Sequence, residues 1–263
     1  MRLLRRLALA IGYVTCLPLV SVNSTDQSQE SLGGLAKYLP AVGILLGLWL
    51  AGLDLLLGSL HTRHILCCAL LTITWLVLTN GLHFDGLMDT ADGIFSHQSP
   101  ERALEIMQDP RVGNFGVLAG VSVLLLKFIA LYSIPVPDQI FALIFVPAWS
   151  RWAETFAISA FPYLKPQGKG KIWHDSTRHP RDIFISGLLP SLLVATACAL
   201  GFWQAALMSA FTAVCGVAAA FWLNKKLGGQ TGDTYGCVVE IAEACGLVLT
   251  AIVLPFAAAA GGL

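Results

Sequence analysis

The apolar residues of this chain fall in blocks of about twenty, the length a helix needs to cross a bilayer core. Only 12% of the residues are charged, against about 25% in a typical soluble domain. The chain therefore has too few charged side chains to cover the surface of a soluble fold. The sequence therefore predicts an all-α, polytopic membrane protein with about seven transmembrane helices. The predicted spans are residues 35–57, 64–82, 113–134, 138–160, 183–200, 203–223 and 238–260.

Composition excludes several other classes of protein. Sixteen basic and sixteen acidic side chains give a formal net charge of zero, without the positive field that nucleic-acid binding requires. An ordinary soluble enzyme and a disordered chain are excluded by the 56% hydrophobic content. The chain has no internal repeat and no linker. We therefore expect one membrane-embedded catalytic domain, residues 35–263, after an N-terminal segment and polar loop, residues 1–34.

The distribution of lysine and arginine predicts the topology. The apolar stretch from Leu3 to Val20 begins among three arginines, and we expect it to lie in the membrane interface. In that arrangement 13 basic residues share one side and only Arg63 lies opposite, as the positive-inside rule requires. A crossing first segment with its N-terminus outside gives a poorer bias of 10 to 4. Three polar loops, residues 83–112, 161–182 and 224–237, are then predicted to be cytoplasmic.

An acidic motif lies in the first of these loops. Asp85, Asp89 and Asp92 are spaced so that they would share one face of a helix. No lysine or arginine lies between Arg63 and Arg102, so the three like charges need a cation. Mg²⁺ is predicted, because it binds carboxylate oxygens and keeps waters that substrate phosphates can replace. A solvated acidic turn is the alternative.

A second acidic motif enters the last predicted span. Asp233, Glu240 and Glu243 also share one helical face, and a carboxylate at membrane depth indicates function because it is costly. Together the two motifs predict a pair of metal ions that would clamp the attacking and leaving oxygens at phosphorus. The residues before this motif are expected to bind substrate phosphate at a helix N-terminus. They are Gly228, Gly229, Thr231 and Gly232.

Other charged residues lie at or within the predicted spans. Asp109 and Arg111 precede a span, where Arg111 is expected to contact a phosphate. Arg151 lies three residues before Glu154 within a span. The two form either a structural salt bridge or a clamp on a substrate phosphate.

Three further residues are candidates for substrate contact. Lys169 and Trp173 lie in a basic, glycine-rich loop, where Trp173 would stack on a base or ring. The alternative for this loop is a membrane-surface anchor. His83, next to the first acidic motif, is either a general base for an attacking hydroxyl or a hydrogen-bonded structural residue.

Taken in order, these motifs resemble those of the cobalamin synthase family, also called adenosylcobinamide-GDP ribazoletransferases. Residues 83–93 are similar to the family's acidic motif, and residues 109–116 to its Asp-x-Arg-x-Gly-x-x-Gly stretch. Arg151 matches its span-embedded arginine, and residues 228–243 resemble its Gly-Gly-x-Thr-Gly-Asp ending. The resemblance extends from about residue 30 to residue 260 and is weakest over residues 165–182.

The resemblance implies a Mg²⁺-dependent enzyme of the prokaryotic cell (inner) membrane with its active site on the cytoplasmic face. A hydroxyl of α-ribazole, or of its 5′-phosphate, would attack adenosylcobinamide-GDP and release GMP, giving adenosylcobalamin or its 5′-phosphate. The implied metal ligands are Asp85, Asp89, Asp92 and Asp233, with Glu240 and Glu243 as ligands or close neighbours of the metal. The sequence leaves open whether the chain forms a homo-oligomer.

Two other classes remain as alternatives. A CDP-alcohol phosphotransferase or an aromatic prenyltransferase also binds magnesium through membrane aspartates. The Ala-Arg pair of the former is missing after Asp92-Gly93, and the aspartate spacing differs from that of the latter. A cation-coupled transporter would carry a repeat relating its two halves, which this sequence lacks.

Overall fold

The computed structural model describes residues 2–16 and 33–260, which form eleven α-helices and one 3₁₀ turn, Ala36–Tyr38. No β-strand occurs in these ranges beyond an isolated bridge between Tyr163 and Gln230. The predicted all-α class is confirmed. The helices are α1 (Arg2–Val14), α2 (Leu39–Ser59), α3 (His64–Leu78), α4 (Leu82–Phe95), α5 (Pro100–Ile106), α6 (Asn114–Ser133), α7 (Val136–Ala160), α8 (Lys169–Ser176), α9 (Arg181–Ala199), α10 (Gln204–Leu227) and α11 (Gly232–Ala260).

Five helical stretches within the described residues are long and apolar enough to cross a membrane. They are Ala36–Ser59, Asn114–Ser133, Arg181–Ala199, Gln204–Leu227 and Gly232–Phe256. Helices α3 and α4 pass the same test only as a pair, so the count rises to six if they form one broken span. The polytopic membrane class is confirmed, but this count is lower than the predicted seven. The difference arises because α3 ends early and because α7 carries the buried charges of Arg151 and Glu154.

The chain turns by 86° between α3 and α4. Asn80 and Gly81 both take left-handed backbone conformations there, with φ of 51° and 63°. Asparagine and glycine are the residues that tolerate this region best. The predicted span over residues 64–82 therefore stops at the turn. The acidic motif, predicted to lie in a loop, lies on α4, which packs against α6 and α11.

Helix α11 is the centre of the bundle. In its most apolar window 61% of the residues are buried, against 22–39% in the other four candidate spans. It packs against α4, α6, α7 and α10. Polar side chains on α11 consequently face other helices, where they need protein partners or a ligand.

Helix α1 is too short to cross a membrane. Its 13 residues extend over about 20 Å, and a bilayer core is about 30 Å thick. Leu9, Ile11 and Val14 are buried in the same core as residues of α2 and α7. This agrees with a first segment that does not span. Residues 17–20 of the predicted segment lie outside the described residues.

Candidate active site

Segments far apart in the sequence converge on one cavity of about 300 Å³. Its wall includes the start of α4, the stretch from Tyr163 to Trp173 and the start of α11. Tyr13 of α1 and Glu154 of α7 complete it. The three loops that the sequence predicts to share one side of the membrane therefore meet at the same end of the bundle.

Helices α4 and α11 approach each other closely enough to touch through their backbones. A Cβ atom at Gly86 would lie 2.5 Å from the carbonyl oxygen of Asp233, and one at Gly236 would lie 2.8 Å from the carbonyl oxygen of His83. Only glycine permits this spacing, because any side chain would collide with the opposite backbone. The contact brings Asp85 of the first acidic motif beside Asp233 of the second.

Three aspartates from the two motifs form a cluster with one lysine. Asp85 and Asp233 line the cavity, and Asp89 lies one turn further along α4. The charges of Asp85 and Asp233 both act on Asp89. Lys165 opposes them, and its Nζ donates to Oδ2 of Asp233 at 2.8 Å. The cluster has more negative than positive charge, as the sequence predicts.

The donor set of this cluster fits a hard divalent cation, because carboxylate oxygens are the protein ligands that Mg²⁺ prefers. No three His, Cys, Asp or Glu side chains among the described residues already stand close enough to hold a metal. Mg²⁺ does not need such a cage, since one or two carboxylates suffice when water and substrate phosphates complete its shell. Asp85, Asp89 and Asp233 are the residues that could hold it.

Asp92 has a different environment from the other aspartates of its motif. Its Oδ2 accepts the backbone N–H of Gly113 and its Oδ1 that of Gly116, both at 2.8 Å. These amides belong to the first turn of α6, so Asp92 caps that helix from α4. A Cβ atom at either glycine would overlap the carboxylate. Both oxygens predicted to bind metal therefore already have protein donors.

Glu240 and Glu243 belong to a buried ion-pair network rather than to the aspartate cluster. Nζ of Lys127 donates to Glu240 at 2.6 Å and also to Glu243. Glu243 accepts a further bond from Arg151 and one from the hydroxyl of Ser150, the latter at 3.1 Å. Two cations balance two carboxylates, so neither glutamate needs a metal for charge compensation. The sequence signal for this network is Lys127, a lone lysine within an apolar helix, but spacing alone does not identify its carboxylate partners.

Arg151 forms a buried salt bridge, but its partner is not the predicted Glu154. It pairs with Glu243 rather than with Glu154, and with 1% exposure it does not reach the cavity. Glu154 instead lines the cavity, where its Oε2 lies 3.6 Å from Nε2 of His83.

Four side chains that line the cavity are buried and lack hydrogen-bond partners among the described residues. They are 2–4% exposed. Such groups are uncommon, because burying a polar atom without a partner costs about 1–3 kcal/mol. They are therefore free to bind a ligand. The atoms are both ring nitrogens of His83, Oε2 of Glu154, Nε1 of Trp173 and the hydroxyl of Tyr235.

The glycine-rich stretch before α11 mainly forms a turn. Gly228 ends α10 with φ of 82°, and Gly229 packs against Pro162 and Leu164. The hydroxyl of Thr231 accepts the backbone N–H of Thr234 at 3.2 Å, which caps α11. Of the four predicted phosphate-binding residues, only Gly232 lines the cavity.

Lys169 and Trp173 both line the cavity, as expected of substrate contacts. Nζ of Lys169 lies 5.3 Å from the centre of the Tyr13 ring, and the rings of Tyr13 and Trp173 are 4.8 Å apart. These residues form an aromatic wall with a cation at its edge.

Asp109 and Arg111 lie away from the cavity. The side-chain nitrogens of Arg111 donate to both carboxylate oxygens of Asp109, at 2.9 and 2.6 Å. This pairing lowers the pKa of Asp109 to about 2. The side chain of Arg111 is 86% exposed, so it projects into solvent next to the helix that Asp92 caps.

Comparison with known proteins places the chain in a family. The family model described as cobalamin-5-phosphate synthase matches residues 6–251. The chain belongs to this family. Membership makes it an enzyme of cobalamin synthesis, and the resemblance drawn from the motifs is confirmed. The matched range contains both acidic motifs, the Asp109–Arg111 pair and Arg151.

Several relatives named adenosylcobinamide-GDP ribazoletransferase cover nearly the whole chain. The protein from Thermosynechococcus vestitus is 41% identical over 239 residues, 91% of this chain and 93% of the relative. The one from Synechococcus sp. is 39% identical over 244 residues, 89% and 91% of the two chains. The one from Desulfitobacterium hafniense is 38% identical, covering 91% and 94%. No solved structure matches the chain.

Proposed function

We propose that this protein joins α-ribazole, or its 5′-phosphate, to adenosylcobinamide-GDP and releases GMP. The products are adenosylcobalamin, or its 5′-phosphate, and GMP. The substrates follow from the names of the relatives. The observation that carries the proposal is a cavity with carboxylates at its edge and buried, unpartnered polar atoms in its wall. Carboxylates can hold the metal that assists phosphoryl transfer, and a buried base can take the proton of the attacking hydroxyl.

The aspartate cluster is the proposed phosphate end of the site. Asp85, Asp89 and Asp233 would hold Mg²⁺, which when bound neutralises the phosphate charge and stabilises the GMP leaving group. Lys165 and Lys169 line the same cavity and would contact the phosphate oxygens directly.

The buried wall is the proposed acceptor end. His83 takes the proton from the attacking hydroxyl, whose oxygen forms a bond to phosphorus as the bond to the GMP oxygen breaks. Glu154, 3.6 Å from the His83 ring, would stabilise the positive charge that the ring gains with the proton. No covalent nucleophile is required, because alignment of the two substrates and charge stabilisation lower the barrier.

The size of the cavity decides which substrate enters it. A volume of about 300 Å³ lies at the lower end of the range for ligand pockets, about 300–1,000 Å³. It suits a nucleoside, whose ring would lie against Tyr13 and Trp173. The corrin ring is several times larger than a nucleoside, so it must remain outside.

The orientation in the membrane is proposed from charge. The cavity lies at the end of the bundle where the basic loops meet, and basic loops face the cytoplasm. Both substrates and GMP are polar, which suits a site open to that compartment.

The test is GMP release by the purified full-length protein in lipid vesicles. We expect release from adenosylcobinamide-GDP only when Mg²⁺ and an acceptor, either α-ribazole or its 5′-phosphate, are both present. Asp89→Asn should abolish release. The control Asp138→Asn lies at the start of α7, far along that helix from the cavity residue Glu154, and should match the parent. Release that depends on neither acceptor, or transfer from a CDP-alcohol instead, would overturn the proposal.

A further inference from the structure

A second pocket, also of about 300 Å³, lies outside the candidate active site and is lined by four basic side chains. Arg6 comes from α1 and Lys37 from the 3₁₀ turn. Arg181 is the first residue of α9, and Arg178 lies three residues before it. Among the residues that the structure describes, Asp182 is the one acidic residue in its wall. It is 5% exposed and accepts the backbone N–H of Arg178 at 3.0 Å. We refer to this site as the basic pocket.

The four cations have no acidic side-chain partner within the described residues. Arg6, Arg178 and Arg181 are exposed, and the ammonium group of Lys37 lies over the ring of its neighbour Tyr38. Like charges in one pocket repel each other, so the arrangement is unfavourable without a counter-charge. An anion bound among them would remove that repulsion.

The backbone around the basic pocket favours an anion as well. The amide of Gly34 donates to the hydroxyl of Ser176 at 2.9 Å, which ties the entry to the 3₁₀ turn to the end of α8. Helix α9 begins at Arg181 and packs against both α2 and the 3₁₀ turn. Helix N-termini carry free N–H groups and a partial positive charge. The basic side chains and the N-terminus of α9 therefore act with the same sign.

The position of the pocket indicates which anion it binds. Ala36–Ser59 and Arg181–Ala199 are both candidate membrane spans, and the pocket lies at the first residues of both. This is the level at which lipid phosphates meet the ends of membrane helices. Leu4, two positions before Arg6, and Phe184, three positions after Arg181, are 72% and 71% exposed and offer apolar surface near the pocket's arginines in the sequence.

We propose that the basic pocket binds the phosphate of an anionic phospholipid. Basic pockets between membrane helices commonly hold lipid headgroups. The inference goes beyond the transferase reaction and does not depend on it. Because α1 also supplies Tyr13 to the active-site cavity, a lipid bound here would fix that wall of the cavity.

The test measures lipid bound to the full-length protein, by native mass spectrometry of detergent-purified material mixed with phosphatidylglycerol or phosphatidylcholine. We expect the parent to retain phosphatidylglycerol in preference to phosphatidylcholine. The double variant Arg178→Gln/Arg181→Gln should lose at least tenfold of that binding. The control Lys225→Gln/Lys226→Gln removes two exposed charges from the end of α10 and should bind like the parent. If the double variant does not purify as a folded protein, Arg6→Gln tests the same pocket from α1.

Three results would overturn the proposal. One is equal binding of the two lipids, and another is equal loss in the pocket variant and the control. The third is displacement of phosphatidylglycerol from the parent by inorganic phosphate or GDP at millimolar concentration, which would assign the pocket to a soluble phosphate. Because no readout is enzymatic, a failed transferase assay leaves this test unaffected.

Discussion

Nε2 of His83 on α4 lies 3.6 Å from Oε2 of Glu154 on α7, and neither atom has a hydrogen-bond partner among the described residues. The distance is too long for a hydrogen bond. Both residues line the cavity and are at most 4% exposed. A hydroxyl placed beside this pair, on the cavity side, could hydrogen-bond to both atoms.

Replacing His83 should remove the proposed base. His83→Asn is expected to lower kcat about 10²–10⁴-fold, the usual contribution of general acid–base catalysis, while the protein remains folded because no bond to the ring is lost. The measurement is steady-state GMP release together with a thermal unfolding curve. His97→Asn is the matched control, because His97 is exposed and its left-handed backbone suits asparagine. An unchanged kcat in His83→Asn would remove the base from the mechanism.

Removing the hydroxyl of Tyr235 should weaken nucleoside binding without destabilising the protein. The hydroxyl is buried without a partner, so Tyr235→Phe should unfold at the same temperature as the parent or a higher one. A hydrogen bond to the ligand contributes about 1 kcal/mol, so the KM for α-ribazole should rise about fivefold, and the KM for adenosylcobinamide-GDP should not change. Tyr132→Phe, at an exposed tyrosine outside the cavity wall, should behave like the parent. An unchanged KM for α-ribazole would assign the hydroxyl no role in binding.

The local part of the site could be predicted from the sequence. The spacing of Asp85, Asp89 and Asp92 fixes their common helix face without any tertiary information. The sequence shows where the glycines of the site lie, but it does not show which residues pack against them. Gly86 serves the contact with Asp233, whereas Gly113 and Gly116 make room for Asp92.

The long-range pairings could not be predicted, because they depend on how the helices pack. Arg151 had a plausible partner three residues away, yet it pairs with Glu243, 92 positions along the chain. Lys127 and Glu243 are 116 positions apart. Helical spacing alone favours the nearby Glu154, and tertiary packing overrides it. The same limit explains the count of spans, since charges inside a helix obscure whether it crosses.

The buried network should be required for stability. Lys127→Met leaves two carboxylates on α11 with one cation, and an uncompensated buried charge costs about 3–5 kcal/mol. We expect a large fall in unfolding temperature, partly recovered in Lys127→Met/Glu240→Gln, and little change in Lys226→Met on the exposed end of α10. The measurement is thermal unfolding in detergent. If Lys127→Met is as stable as the parent, or if Mg²⁺ restores its stability, the glutamates have another role, such as metal binding.

The topology can be checked by reporter fusion. Gln167 lines the cavity where the polar loops meet, and Gly201 lies between α9 and α10 at the other end of α9. A reporter fused after Gln167 should be cytoplasmic, and one fused after Gly201 should be external, because the basic residues concentrate at the cavity end. An external reporter at Gln167 would reverse the proposed orientation of the active site.

The last prediction separates two aspartates that lie three residues apart. Asp89 belongs to the cluster with Asp85 and Asp233, so Asp89→Asn should abolish transfer at limiting Mg²⁺. Asp92 accepts two backbone bonds from α6, so Asp92→Asn should lower stability by about 1 kcal/mol, the typical value of a helix cap.

A magnesium titration of GMP release, run beside thermal unfolding, compares the two variants. Asp92→Asn should show a lower unfolding temperature and a parental magnesium dependence, whereas Asp89→Asn should keep the unfolding temperature and lose the magnesium response. Both variants have the same charge change on the same helix, so a general electrostatic effect would shift both titrations equally. A raised magnesium requirement in Asp92→Asn with unchanged stability would return that carboxylate to the metal site and give the capping role to other contacts.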